Sequence, residues 1–214
     1  MIKSLYRALR FQYRRVAIAR VFTDIYNKGA WRGSESLSGS GSGTVATQNV
    51  RTLLPQLLLG INAHSLLDAP CGDFSWMKGI ELPIEQYLGI DIVGDLIAEN
   101  SRKYGSKNRL FLKLDLVRDR LPKADVVLCR HLLIHLSTKD CFSVLRNFQR
   151  SSATYLLITS QENVLENREI LFTGSFRPLN LSLPPFSFSE PEDKIPDDHD
   201  GTYLSLYQLD KLKL

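Results

Sequence analysis

From residue 65 onward, short apolar runs of strand length alternate with stretches whose apolar positions recur at helical spacing. The runs are 65–69, 87–92, 109–116, 124–129 and 154–159. The clearest helical stretches are 93–104 and 137–150, the second with Phe142, Leu145 and Phe148 as its buried stripe. Short apolar strands, each followed by a helix, predict an α/β fold: a doubly wound, mostly parallel sheet with helices on both faces.

The chain outside this rhythm has a different character. Ile2, Leu5, Tyr6, Leu9, Tyr13 and Val16 fall on one face of a helix, and Lys3, Arg7, Arg10 and Arg14 on another. Such a basic amphipathic helix has two fates: docking on the domain or a second copy, or lying on an anionic membrane. Phe22, Ile25 and Tyr26 continue the apolar face and favour docking. The tract GSESLSGSGSGT, residues 33–44, reads on composition as a flexible linker, and 47–60 as a helix with Pro55 as an internal irregularity. The expected division is an N-terminal helical extension, 1–60, and a core, 61–214, with a substrate loop over 161–202. That loop is rich in Pro, Phe and Asn and ends in an acidic run, 190–200; one strand, 203–209, is expected after it.

At 214 residues with 43% hydrophobic and 23% charged positions, the chain has the make-up of one soluble domain. Cys71, Cys129 and Cys141 lie in or beside apolar runs without paired spacing, so neither a disulfide framework nor a metal knuckle is expected, and a cytoplasmic setting fits. Of the net charge of +4, residues 1–20 hold +6, leaving 21 basic against 23 acidic groups elsewhere. The body is slightly acidic, which disfavours nucleic acid as a partner. No apolar run is long enough to span a membrane.

In a parallel sheet, ligands bind beyond the carboxyl ends of the strands, and three of these ends carry an aspartate: Asp68, Asp91 and Asp115. Asp68 and Asp91 stand 23 residues apart, the length of one βαβ unit and the spacing at which a second-strand carboxylate reaches a ribose diol. The turn after the first strand, Ala69-Pro70-Cys71-Gly72-Asp73, suits a dinucleotide poorly, because Pro70 removes a backbone donor and Asp73 adds negative charge where a pyrophosphate would sit. It suits S-adenosylmethionine, which has no phosphate and carries an ammonium and a sulfonium.

The run from Leu67 to Asp73, followed by Tyr87-Leu88-Gly89-Ile90-Asp91-Ile92 and by Asp115, resembles the cofactor-binding series of class I S-adenosylmethionine-dependent methyltransferases, which are Rossmann-like. Trp31, the Ser38–Ser42 tract, the run to Met77, Arg130 and the segment from Phe176 to Phe186 further resemble a bacterial methyltransferase subfamily of poorly defined substrate. The resemblance implies that Asp68 and Gly72 hold the methionine part, Asp91 the ribose hydroxyls, and Asp115 with Leu116 the adenine. It adds Ala69, Pro70, Cys71, Ile92, Trp31, Ser38, Gly39 and Arg130 as further cofactor contacts, and offers 38–44 as a segment that closes over the cofactor as the alternative to a slack linker. The class ordinarily ends in two strands where this chain shows one.

The sulfonium is already an activated electrophile, so the protein must align the acceptor and, for a protonated acceptor, supply a base. Arg130 and His131, where the fourth strand leaves the sheet, are the first candidates, with His135 one helical turn on; each has a plainer reading as a cap or packing residue. In the substrate loop, Arg177 is expected to pair a carboxylate or phosphate, Asn180 to bond a sugar or amide, and Phe176 to wall a pocket. The expected function is O-methylation of a small-molecule or glycan acceptor. The alternatives are a protein or nucleic-acid methyltransferase and a non-catalytic module of the same fold, with a homo-oligomer or peripheral membrane contact through residues 1–20 as expected partners.

Overall fold

The computed structural model describes residues 17–197 and 201–214. Most of the basic amphipathic helix, and with it the membrane-contact expectation, lies outside the described residues; its continuation is helical over 17–28 (α1).

Helices α2 (Gln48–Gly60), α3 (Gly94–Tyr104) and α4 (Thr138–Arg150) flank strands β1 (Ser65–Asp68), β2 (Gln86–Asp91), β3 (Arg109–Lys113), β4 (Val126–Cys129) and β5 (Tyr155–Gln161), which are joined at the far edge by β6 (Asp193–Pro196) and β7 (Thr202–Gln208). The sheet order is β3-β2-β1-β4-β5-β7-β6. The first five strands pair in parallel, and β7 runs antiparallel to both its neighbours. The order reverses between β1 and β4, which opens a crevice at their carboxyl ends.

Alternate residues of each central strand feed two cores, one on each face. Leu67, Val127, Leu156 and Ile158 pack with Val144, Leu145 and Phe148 of α4. Leu66, Val126, Leu128 and Leu157 pack with Val50, Leu54 and Leu58 of α2. Helix α4 starts at a reciprocal cap: Ser137 Oγ accepts from the Asp140 backbone and donates to its carboxylate. Of its predicted stripe, Leu145 and Phe148 are buried, whereas Phe142 lies partly open and stacks on Phe186 at 5.3 Å.

Helix α2 takes in Pro55 as expected, at the cost of one backbone donor. One expectation is corrected. The acidic run contains a second late strand, β6, whose half-open edge position tolerates Asp193 and Lys194. Among the described residues no helix is long and apolar enough to cross a membrane.

Candidate functional site

A cavity of about 620 Å³ occupies the crevice, walled by the ends of β1 to β4, by α1 and by the 33–44 tract. Each of the three aspartates predicted from the strand ends lines it.

Asp68 closes β1 and is 2% exposed. Burial pushes its carboxyl up to about 7, against the opposing pull of the Tyr87 hydroxyl, which donates to it at 2.5 Å, and of the Arg130 charge. Asp91 closes β2; its two oxygens accept from the backbone N–H groups of Gly72 and Val93, so it pins the first turn to the second. Burial raises its carboxyl and these donors oppose the rise. Asp115 accepts from Val117 N–H and pairs with the buried Arg118 at 2.7 Å, so its charge is committed to shaping its own turn.

In the first turn, Gly72 adopts φ +53°, and a Cβ there would meet Ser38 Oγ at 2.5 Å. Pro70, Cys71, Ile92 and Leu116 line the cavity beside it. Cys71 is a neutral thiol, because burial and the charges of Asp91 and Asp68 push it well up. Ala69 is a correction: it is fully buried, its N–H donates to Leu128 O, and it does not reach the cavity.

The Gly/Ser tract is not a slack linker. Asp73 accepts from Ser36 Oγ and from Leu37 N–H, and Ser38 Oγ accepts from Asp73 N–H. Gly41 O accepts from Arg130 Nη2, and Glu35 holds Thr44 N–H. The tract is thereby folded across the cavity, with Ser38 and Gly39 in the lining and Trp31 just before them. Asp73, read from sequence as charge facing the ligand, spends its carboxylate on this closure.

Arg130 lines the cavity, but its charge is already engaged. Its guanidinium forks onto Asp197, with Nε and Nη2 at 2.7–3.1 Å, and lies 5.4 Å over Trp76. Both side chains are nearly inaccessible. A buried fork committed to a carboxylate and a carbonyl clamps β4, β6 and the tract together; it does not present its charge to an acceptor. Asp197 was not singled out from the sequence, where it lies in an acidic run. It also faces His131, whose Nε2 is 3.4 Å away. His131 sits at φ +54° with its N–H on Thr159 Oγ1, which turns the ring toward the cavity.

His135 lies deeper. Its ring stacks on Trp31 at 4.4 Å, and Nδ1 is 3.0 Å from Ser175 O. A carbonyl only accepts, so Nδ1 carries the proton and Nε2 the lone pair. Burial lowers its pKa, opposed by the Ser175 contact, so the ring is neutral at pH 7.

The substrate-loop expectations divide. Phe176 stands at the cavity mouth, 63% exposed and 6.2 Å from the His135 ring. Arg177 and Asn180 are corrected: both are buried outside the lining. Arg177 donates to Leu136 O and pairs with Glu169, and Asn180 bonds Val164 O and Ser182 N–H, so both fasten the loop instead of facing a ligand.

The acidic strand ends and the glycine cradle fit a cationic nucleoside. No protein-family model matches the chain and no curated protein does. Solved structures do. DhpI in complex with S-adenosylhomocysteine aligns at a TM-score of 0.61 and 15% identity, over 88% of this chain and 95% of that one. Human N-acetylserotonin methyltransferase with S-adenosylmethionine aligns at 0.60 and 13% identity, over 88% of this chain and 58% of that one. Magnesium protoporphyrin IX methyltransferase from Synechocystis aligns at 0.51 and 16% identity, over 71% and 74%. The chain has the class I methyltransferase fold.

Proposed function

We propose that the protein is an S-adenosylmethionine-dependent methyltransferase acting on the hydroxyl of a small-molecule acceptor. The observation that carries this reading is the convergence of Asp68, Asp91 and Asp115 on one cavity at the switch point of the sheet, closed by a tract tied to the first turn. The structures it aligns with are methyltransferases described with this cofactor or its product, which supports the same assignment.

When bound, S-adenosylmethionine supplies a methyl group on an electron-poor sulfur. Asp68 and the Gly72 turn would hold its amino-acid end, Asp91 the ribose hydroxyls, and Leu116 with the Asp115 turn the adenine; all of them line the cavity. The 33–44 tract and α1 wall the cavity and would limit the water that reaches a bound cofactor, which would strengthen these contacts. His131 and His135 stand beyond the β4 end as the groups able to take an acceptor proton.

Calorimetric titration with S-adenosylmethionine and S-adenosylhomocysteine tests the reading. Micromolar binding of both is expected, and Asp91→Ala should weaken it by about tenfold or more, since a carboxylate hydrogen bond is lost. A folded protein that binds neither would refute the assignment.

A further inference from the structure

The cavity is two-sided. The side at the ends of β1, β2 and β3 is acidic and is accounted for by the cofactor. The side beyond β4 is of opposite character: the His135 ring lies against Trp31 and Phe176, Phe22 of α1 lies against Trp31, and Ile25 and Ile134 also line the cavity. Its other polar side chains are Thr202, Arg130 and His131, the last two against Asp197, and Gln161, whose oxygen accepts from Leu179 N–H.

This composition selects among acceptors. A glycan places a hydroxyl on almost every ring carbon, and each one buried without a partner costs binding. An anionic acceptor needs a cation, yet Arg130 is locked to Asp197, Arg177 lies outside the lining, and Arg32 is exposed at the rim. An apolar ring bearing one hydroxyl matches the walls, and His135 is the group among them with a proton-accepting atom fixed by its surroundings, through the Trp31 stack and the Ser175 carbonyl.

Resting on the methyltransferase reading, we infer that this side takes a flat hydroxyaromatic acceptor, and that His135 Nε2 receives its proton. In the transfer, the acceptor O–H breaks and its proton goes to Nε2. The oxygen lone pair forms the new C–O bond, and the electrons of the breaking C–S bond remain on sulfur, which loses its positive charge. The imidazolium then returns the proton to solvent.

The test uses the full chain saturated with S-adenosylhomocysteine, titrated by calorimetry with 2-naphthol, 7-hydroxycoumarin and methyl β-D-glucopyranoside. The two hydroxyaromatics should bind at least about tenfold more tightly than the glucoside, whose hydroxyls go unmatched. Phe176→Ser, at a 63% exposed position that burdens folding little, should weaken the hydroxyaromatics by about tenfold and leave S-adenosylhomocysteine affinity unchanged. His135→Gln should keep both ligands within a few-fold while methyl transfer from S-adenosylmethionine falls by about 100-fold or more. Equal or tighter binding of the glucoside, or Phe176→Ser without effect, would overturn the acceptor class; methyl transfer surviving His135→Gln would overturn the base. Failure of S-adenosylhomocysteine to bind would instead strike the methyltransferase reading, and is seen before any acceptor is added.

Discussion

If Asp68 holds the cationic cofactor, affinity should depend on pH in a way that identifies this carboxyl. Burial raises it to about 7, so in the free protein it should titrate near neutral pH. A cationic ligand against it favours the carboxylate, so the apparent affinity follows the ionised fraction and should fall about tenfold between pH 8 and pH 6. Calorimetry in buffers of different ionisation enthalpy should show close to one proton released per ligand at pH 6 and almost none at pH 8. Asp68→Asn should bind more weakly and lose the slope, which separates this carboxyl from His131 and His135. Tyr87→Phe removes the donor that holds the carboxyl down, and should move the midpoint of the profile up by about one pH unit. The same group bears on stability. A carboxyl raised from 3.8 to about 7 contributes stability present in full below about pH 4 and lost as pH rises through about 7, a difference of about 4 kcal/mol. The ligand-free protein should therefore melt lower at pH 7.5 than at pH 5, by more in the wild type than in Asp68→Asn. Flat wild-type affinity from pH 8 to pH 6, or a slope that survives Asp68→Asn, would refute the argument.

Two further outcomes follow from the closure of the cavity. Asp197→Asn leaves the buried Arg130 charge without its partner and should cost about 3 kcal/mol, read as a fall of about 6 °C or more in Tm by calorimetry. Gly72→Ala puts a side chain at φ +53° and against Ser38 Oγ; limited proteolysis should show the 33–44 tract cut faster, with S-adenosylhomocysteine affinity down about tenfold.

The central parallel strands β1, β2 and β4 were readable because burial on both faces leaves an apolar run, and the three aspartates because a strand's carboxyl end is a position in the sequence as well as in the fold. Strand β6 was not, since an edge strand with one solvent face carries the charges of a loop. What the sequence concealed is reciprocity over long separations. The closure of the Gly/Ser tract depends on Asp73 and Arg130, 35 to 89 positions from their partners in it. Composition registers only that such a tract is small and polar. Asp197 was hidden in the same way, as one carboxylate of an acidic run, and Arg177 misled because a surface loop and a buried carbonyl partner look alike in one dimension.

The two sides of the cavity are supported differently, and this bears on how the site works. The cofactor side rests on strand ends whose positions are fixed by the ladder of the sheet. The acceptor side rests on segments outside the alternating pattern: α1, Trp31 and the stretch that reaches back to β4 through Gly174 N–H on His135 O and Arg177 N–H on Ile134 O. These backbone bonds, with the Ser175 contact to the ring, place His135 by the substrate loop as much as by its own turn. Gly174 also lies against α1, where a Cβ would meet Val21 Cγ1 at 2.8 Å. His135, the loop that holds its ring and the helix that walls the mouth are thus one packed unit, so on the proposed reading substitutions there should change acceptor binding or transfer while the strand ends of the sheet keep cofactor affinity.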